Sequence, residues 1–184
     1  MTEVTAMTDR FKAVFRQHPA AVTLITGLAP GGPVGLTASS LSSVAAAPPA
    51  VSFSVTRATG SAGGLLSAGE VSVHLLGAQH AATALAFSRS GEERFTAAQG
   101  WEWDADGHPV LPDARATLRC RIVDTLRVAD SSLVVAEVLD VVIGPDAEPL
   151  LYHDRRFHAF DPSARVLDPT LPTAAVSDPQ PPRA

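Results

Sequence analysis

Gly35-Leu36-Thr37-Ala38-Ser39-Ser40-Leu41-Ser42-Ser43 decides how this chain is read, together with Pro48-Pro49 and the apolar strand Ala50-Val51-Ser52-Phe53-Ser54-Val55 that follow it. Small hydroxyl residues crowd a segment where a buried strand would carry bulk, so its backbone is open to close approach by something flat or anionic. That points to a bound ligand.

Upstream, Ala21-Val22-Thr23-Leu24-Ile25-Thr26 is short and β-branched and stops at Gly27, ahead of the turn signal Pro30-Gly31-Gly32-Pro33. A hairpin is expected, its return strand running from Val34 into the Thr/Ser motif. Pro48-Pro49 cannot sit in a central ladder, so Ala50 to Thr56 is the third strand. Nearer the N-terminus, Phe11, Val14 and Phe15 fall at helical spacing behind a cap at Thr8.

Downstream, the glycine-rich run from Arg57 to Gly64 breaks the pattern before a short helical turn at Leu65-Leu66, ended by Gly69. Val71 to Leu76 alternates as a strand should, and Ala81, Leu85 and Ala86 recur at helical spacing until Gly91 closes the element. Gly100 to Asp113 reads as a loop with Trp101 and Trp103 as aromatic anchors. Ala116 to Leu126 and Ser132 to Ile143 make a hairpin that turns at Ala129-Asp130, and Pro149 to Phe160 adds one last short strand. Residues 162–184, rich in proline and alanine and without periodicity, read as an unfolded tail, which leaves residues 1–161 as one domain. Many antiparallel strands with few short helices predict a mainly β fold, closed or nearly closed into a barrel that removes exposed edges.

Composition narrows the partners. A chain of 184 residues with 46% hydrophobic content supports one well-buried core. Its net charge of -5 argues against nucleic-acid or anionic-membrane binding, both of which need a basic footprint. Cys120, the single cysteine, excludes an intramolecular disulfide and suits a reducing cytoplasm. No run reaches the ~18 apolar residues of a membrane-spanning helix. The six histidines are scattered, with only His153 and His158 close, so no metal site is expected.

Two further segments carry chemistry. Arg57, Thr59 and Ser61 sit in a glycine-rich turn directly after a strand, a combination of guanidinium, hydroxyl and backbone donors that suits a phosphate. Pro149-Leu150-Leu151-Tyr152-His153-Asp154-Arg155-Arg156-Phe157 delivers His153 beside a basic turn. With Gly-Leu-Thr-Ala-Ser-Ser-Leu-Ser-Ser-Val from Gly35 and Pro-Pro-Ala-Val-Ser-Phe-Ser-Val-Thr-Arg from Pro48, these pieces resemble the flavin reductase-like family of FMN-binding split barrels. The family supplies the small partners of two-component flavin monooxygenases.

The resemblance spans Phe11 to Phe160 and implies an antiparallel split β-barrel of Greek-key type. It implies an NAD(P)H:flavin oxidoreductase that reduces FMN, or FAD, and hands it to a transient oxygenase partner. It also implies a homodimer with flavin near the subunit interface. By the same resemblance Thr37, Ala38, Ser39, Ser40 and Ser43 belong to the segment along the flavin ring. Ser54, Val55, Arg57, Thr59 and Ser61 belong to the segment that holds the ribityl phosphate, with Arg89 a further phosphate candidate. His153 matches the histidine placed near the nicotinamide, and the family commonly has asparagine where this chain has His74, so a contact there would be altered. A flavin does its own hydride chemistry, so the protein need only hold the ring, tune it and admit the donor. NADH or NADPH stays open, and Arg155-Arg156 would begin the basic cluster that a 2′-phosphate needs. A flavin-binding protein or flavin-dependent oxidase without nicotinamide turnover is the alternative on the same barrel, and an interaction module presenting Trp101 and Trp103 is a third reading.

Overall fold

A computed structural model describes residues 3–161, so the expected tail lies outside the described residues. Helix α1 (Glu3–Arg16) leads into strands β1 (Ala20–Ala21), β2 (Thr23–Ala29), β3 (Gly32–Ala38), β4 (Ser42–Ala46) and β5 (Pro49–Thr56). Helix α2 (Gly60–Ser67), strand β6 (Glu70–Leu75) and helix α3 (Ala81–Ser88) follow. After them come β7 (Glu102–Trp103), β8 (Pro109–Val110), the long pair β9 (Ala116–Val128) and β10 (Ser131–Ile143), and finally β11 (Leu150–His153) and β12 (Arg156–Ala159).

One antiparallel seven-stranded sheet, ordered β3-β2-β6-β9-β10-β5-β4, dominates the fold, beside a small sheet β1-β11-β12 and the pair β7-β8. Alternation along β2 places Leu24 in one apolar cluster, with Leu76, Phe87, Trp101 and Leu150, and Ile25 in the other, with Phe53, Val73, Cys120 and Val134. Both faces of the strand are therefore buried. Val34, Leu36 and Ala38 of β3 pack into the same cluster as Phe53 and Val55 of β5, so the sheet curls until these strands face each other across its interior. Their backbones do not pair there. Ser54 N–H donates to Ser40 Oγ at 2.9 Å across the seam, and no ladder closes the ring among the described residues, so of the closed or nearly closed barrel expected from the sequence the closed form is not found.

Four local expectations change. Ser42–Ala46, read as the tail of the return strand, is a separate edge strand with every residue exposed, so it has no burial alternation to betray it. Gly60 to Gly64, read as a break, forms the first turns of α2. A Cβ on Gly64 would lie 2.8 Å from Val34 Cγ1, so the glycine lets the helix settle directly on β3. Thr8 is inside α1, which begins at Glu3, and its hydroxyl donates to the Val4 carbonyl instead of capping the helix. Residues 150 to 159 make a hairpin of two strands, not one.

Burial also sets the chemistry of the one cysteine. Cys120 is fully enclosed, and desolvation pushes its thiol up to about 11. Because the thiolate is the reactive form, a disulfide reagent such as DTNB should leave the folded protein unlabelled for hours and titrate one thiol at once in denaturant. Stoichiometric labelling of the folded protein within minutes would refute that burial.

Candidate functional site

The chain turns sharply where β5 ends. Arg57 takes a left-handed φ of 55° and donates its N–H to the Asp130 carbonyl at 2.9 Å, which anchors the turn to the β9–β10 connection. Thr59 is extended and starts α2, whose first backbone N–H groups have no acceptor within the helix and carry the positive end of its dipole. These groups border a cleft of about 640 Å³ between β3, the end of β5, the start of α2 and the segment after α3. Thr37, Ser54, Val55, Arg57, Thr59, Ser61 and Arg89 all line it.

Arg94, which the sequence did not single out, is built into the same wall. Its guanidinium donates to the Gly35 carbonyl at 3.0 Å and to Ser61 Oγ at 2.9 Å, reaches the Arg89 carbonyl, and lies 5.5 Å above the Phe87 ring. Because Ser61 Oγ accepts from Arg94, its own O–H is free to donate into the cleft. Gly35 is needed for this packing, since a Cβ there would fall 2.7 Å from the Phe87 ring. Nothing in the local pattern marked Arg94, a lone cation in the loop Gly91-Glu92-Glu93-Arg94-Phe95.

The remaining ring-segment residues divide by what they present. Thr37 spends its hydroxyl proton on the Ala84 carbonyl, so its side chain offers lone pairs. Ala38 is buried, and its carbonyl accepts from Thr23 Oγ1 at 3.1 Å, so its methyl group faces the core. Val55 is likewise buried and meets the cleft through its backbone. Ser40 bridges the seam, and Ser43 stands exposed on β4 opposite Val51, outside the lining of the cleft. As an outer strand of the sheet, β3 pairs among the described residues only with β2 and leaves its other edge free of ladder bonds there.

A second cleft of about 600 Å³ shares Thr37 and Ser88 with the first. Ser39, Val22, Leu85 and the hairpin residues Tyr152, Arg155, Arg156 and Phe157 form its walls. His153 ends β11, paired with Arg156, so its side chain points to the opposite face of the hairpin from Tyr152. There its ring centroid lies 6.0 Å from that of His158, and its carbonyl is 3.3 Å from His158 Nε2.

His74 proves to be a core residue and not a cleft residue. Its Nε2 is 3.0 Å from Thr26 Oγ1 and its Nδ1 is 3.0 Å from Thr117 Oγ1, while Trp101 packs edge-on against the ring. Burial first, and then the neighbouring His80, lower its pKa from 6.5 to about 3. Trp101 lies in the expected loop and anchors it in the core, while Trp103, on β7, is exposed. Asp104, Asp106 and His108 come close enough to offer three ligand atoms within 4.8 Å of one another. Asp104 Oδ1 already accepts the backbone N–H groups of the other two, which is the main reason its carboxyl sits below the ordinary range, and none of the three lines either cleft.

Fold and site together define a mainly β domain with two adjoining clefts, the first lined by Arg57, Arg89, Arg94 and the start of α2 beside the outer strand β3. Residues 15–161 match the flavin reductase like domain, and the chain belongs to that family. An NADH:FMN oxidoreductase of Rhodococcus qingshengii is 36% identical over 152 residues, covering 80% of this chain and 79% of its own. The NADH:FAD oxidoreductase of Streptomyces globisporus, solved in complex with NAD and FAD fragments, superposes with a TM-score of 0.76 at 27% identity, over 86% of this chain and 95% of that one. The flavin reductase component of a bacterial two-component tryptophan halogenase does so with a TM-score of 0.74 at 25% identity, over 83% and 97%. No helix among the described residues is long and apolar enough to cross a membrane.

Proposed function

We propose that this protein is an NADH-dependent flavin reductase that reduces FMN, or FAD, and passes it to a separate oxygenase. The observation that carries this reading is the single cleft in which Arg57, Thr59, Ser61, Arg89 and the start of α2 meet the unpaired edge of β3. The donor set fits a flavin: fixed cations and a helix N-terminus suit its phosphate, and strand amides and hydroxyls suit the polar edge of its ring. When bound, the flavin supplies the hydride-accepting centre. Arg57, Thr59, Ser61 and Arg89 then bind the phosphate, with Arg94 holding Ser61 and the Arg89 backbone in place. Thr37 to Ser40 orient the ring, and their donors favour the electron density that reduction adds. Ala38 and Val55 act through their backbones, Ser54 sits beside the phosphate, and Ser43 borders the ring segment from β4.

In this reading the curled sheet is a split barrel, open at the seam between β3 and β5. The chain forms a homodimer in the cytoplasm. Support for a dimer comes from the apolar side chains left exposed on β4, β9 and β10, among them Val44, Leu126, Val141 and Ile143. An oxygenase partner is supported by the tryptophan halogenase system to which one structural neighbour belongs.

The first test is anaerobic: purified protein is mixed with FMN or FAD and with NADH or NADPH, and flavin bleaching is followed against a protein-free control. Bleaching with NADH establishes the activity. Flavin binding with no bleaching by either donor turns the reading to a carrier or an oxidase, and no binding ends it. His153 lines neither cleft, and the family resemblance alone assigns it to positioning the nicotinamide; on that assignment His153→Ala should lower kcat by about tenfold without abolishing turnover, because a misplaced hydride donor costs rate. Its flavin Kd should not move. Wild-type kcat in that variant would remove His153 from the reaction.

A further inference from the structure

The hairpin that walls the second cleft is built around an unusual turn. His153 pairs directly with Arg156, so Asp154 and Arg155 alone make the connection, with φ values of 47° and 62°. Two successive left-handed residues define a type I′ turn, in which aspartate suits the first position and glycine the second. Arg155 occupies the glycine position, and a side chain held in strained backbone marks a place to ask what that side chain does.

The charges around it are unbalanced. Asp154, the obvious partner, is taken by Arg16: their side chains pair at 2.5 Å, and the Asp154 N–H donates to the Arg16 carbonyl at 3.0 Å. The Arg155 side chain has no hydrogen bond or ion pair among the described residues, whereas Arg156 pairs with His153 in the hairpin and its charge acts on Asp154. One unpartnered guanidinium, that of Arg155, therefore stands on the wall of a cleft, with Arg156 next to it, whose other surfaces, Val22, Leu85, Tyr152 and Phe157, are mostly apolar. In a chain of net charge -5 that is a local concentration of positive charge. The cleft joins the flavin cleft at Thr37 and Ser88, so a ligand with one end on the flavin ring extends past the arginines.

We infer that Arg155, with Arg156 beside it, binds the pyrophosphate of the nicotinamide dinucleotide. The assignment rests on the reductase reading and adds to it the subsite that holds the donor. The pyrophosphate is common to NADH and NADPH, so the pair recognises either donor and does not select the 2′-phosphate. Guanidinium groups suit this role because their fork of donors matches phosphate oxygens.

Arg155→Gly is the variant to make, since glycine is the residue that turn favours and the hairpin should survive. With saturating FMN, KM for NADH and for NADPH should each rise about tenfold, the loss of one charge-assisted phosphate contact. The loss should fall on KM and not on kcat, KM for FMN should not move, and KM for reduced nicotinamide mononucleotide, which lacks the pyrophosphate, should stay as in wild type. Unchanged KM for NADH overturns the inference, as does a rise confined to NADPH or one shared equally by the mononucleotide. Calorimetry with ADP-ribose reads the subsite without turnover and should show a Kd weakened about tenfold in the variant. ADP-ribose binding by a wild type that does not oxidise NADH would sink the reductase reading and leave the subsite standing, whereas turnover by a wild type whose variant binds ADP-ribose equally well would do the reverse.

Discussion

Replacing Arg57 by alanine weakens FMN binding about ten- to a hundredfold and leaves the protein folded. The expectation follows from where the residue stands: at the end of β5, facing a cleft that it shares with Thr59, Ser61 and the positive end of α2. A hydrogen bond to a charged group contributes about 1.5–3 kcal/mol, which is that range in Kd. The fold should survive because the anchoring bond of the turn is made by the Arg57 backbone N–H and not by its side chain. Riboflavin, which has no phosphate, supplies the internal control. Its affinity should be the same for wild type and variant, so the preference for FMN over riboflavin collapses. An unchanged preference, measured by fluorescence quenching at fixed ionic strength, would place the phosphate elsewhere.

The second large effect concerns acid. His74 is held neutral in the fold with a pKa of about 3, while in the unfolded chain it titrates near its ordinary value of 6.5. Between those values the unfolded chain binds a proton that the folded one does not, so stability falls as pH drops from about 6.5 toward 3. Each pH unit in that window costs up to ~1.4 kcal/mol, and the whole of it on the order of 4 kcal/mol, a large share of the stability of a domain this size. Urea unfolding at pH 7.5, 6, 5 and 4 should show this slope in the wild type. His74→Asn, which keeps a hydrogen-bonding side chain between Thr26 and Thr117 but has nothing to protonate, should flatten it. Equal slopes for the two proteins would mean that acid sensitivity has another source.

His74 also shows what the sequence can and cannot tell. In Val71-Ser72-Val73-His74-Leu75-Leu76 the alternation identified a strand, because burial on a β-strand repeats every second residue. The same pattern could not say that β6 lies between β2 and β9 with His74 bridging to a threonine on each, since those contacts are set by pairing across long stretches of chain. The turn that lines the first cleft was legible for a similar reason: Arg57, Thr59 and Ser61 lie within five residues, and proximity in sequence forces proximity in space. Arg94 was not legible, because its partners Gly35 and Ser61 come from distant segments that meet only once α2 and α3 have packed on β3. Two elements were hidden by their own composition. β4 offers no apolar alternation, and the β11–β12 turn carries arginine where glycine would have announced a hairpin. Ala38 and Val55 sit in legible motifs, but which of their atoms faces the ligand depends on the curl of the sheet, which no local pattern encodes.

The open seam gives the sheet a liability as well as a binding site. Among the described residues no strand pairs with the outer edge of β3, where the Gly35 carbonyl is taken by the Arg94 side chain. Such an edge is a template on which a strand from another molecule can assemble, the first step toward aggregation. A flavin lying along β3 would cap that edge much as one more strand would. A reductase that gives its flavin away therefore uncovers a bare strand edge with every turnover, and the small residues from Thr37 to Ser40, in place of valines and isoleucines, make that edge a poor template for pairing.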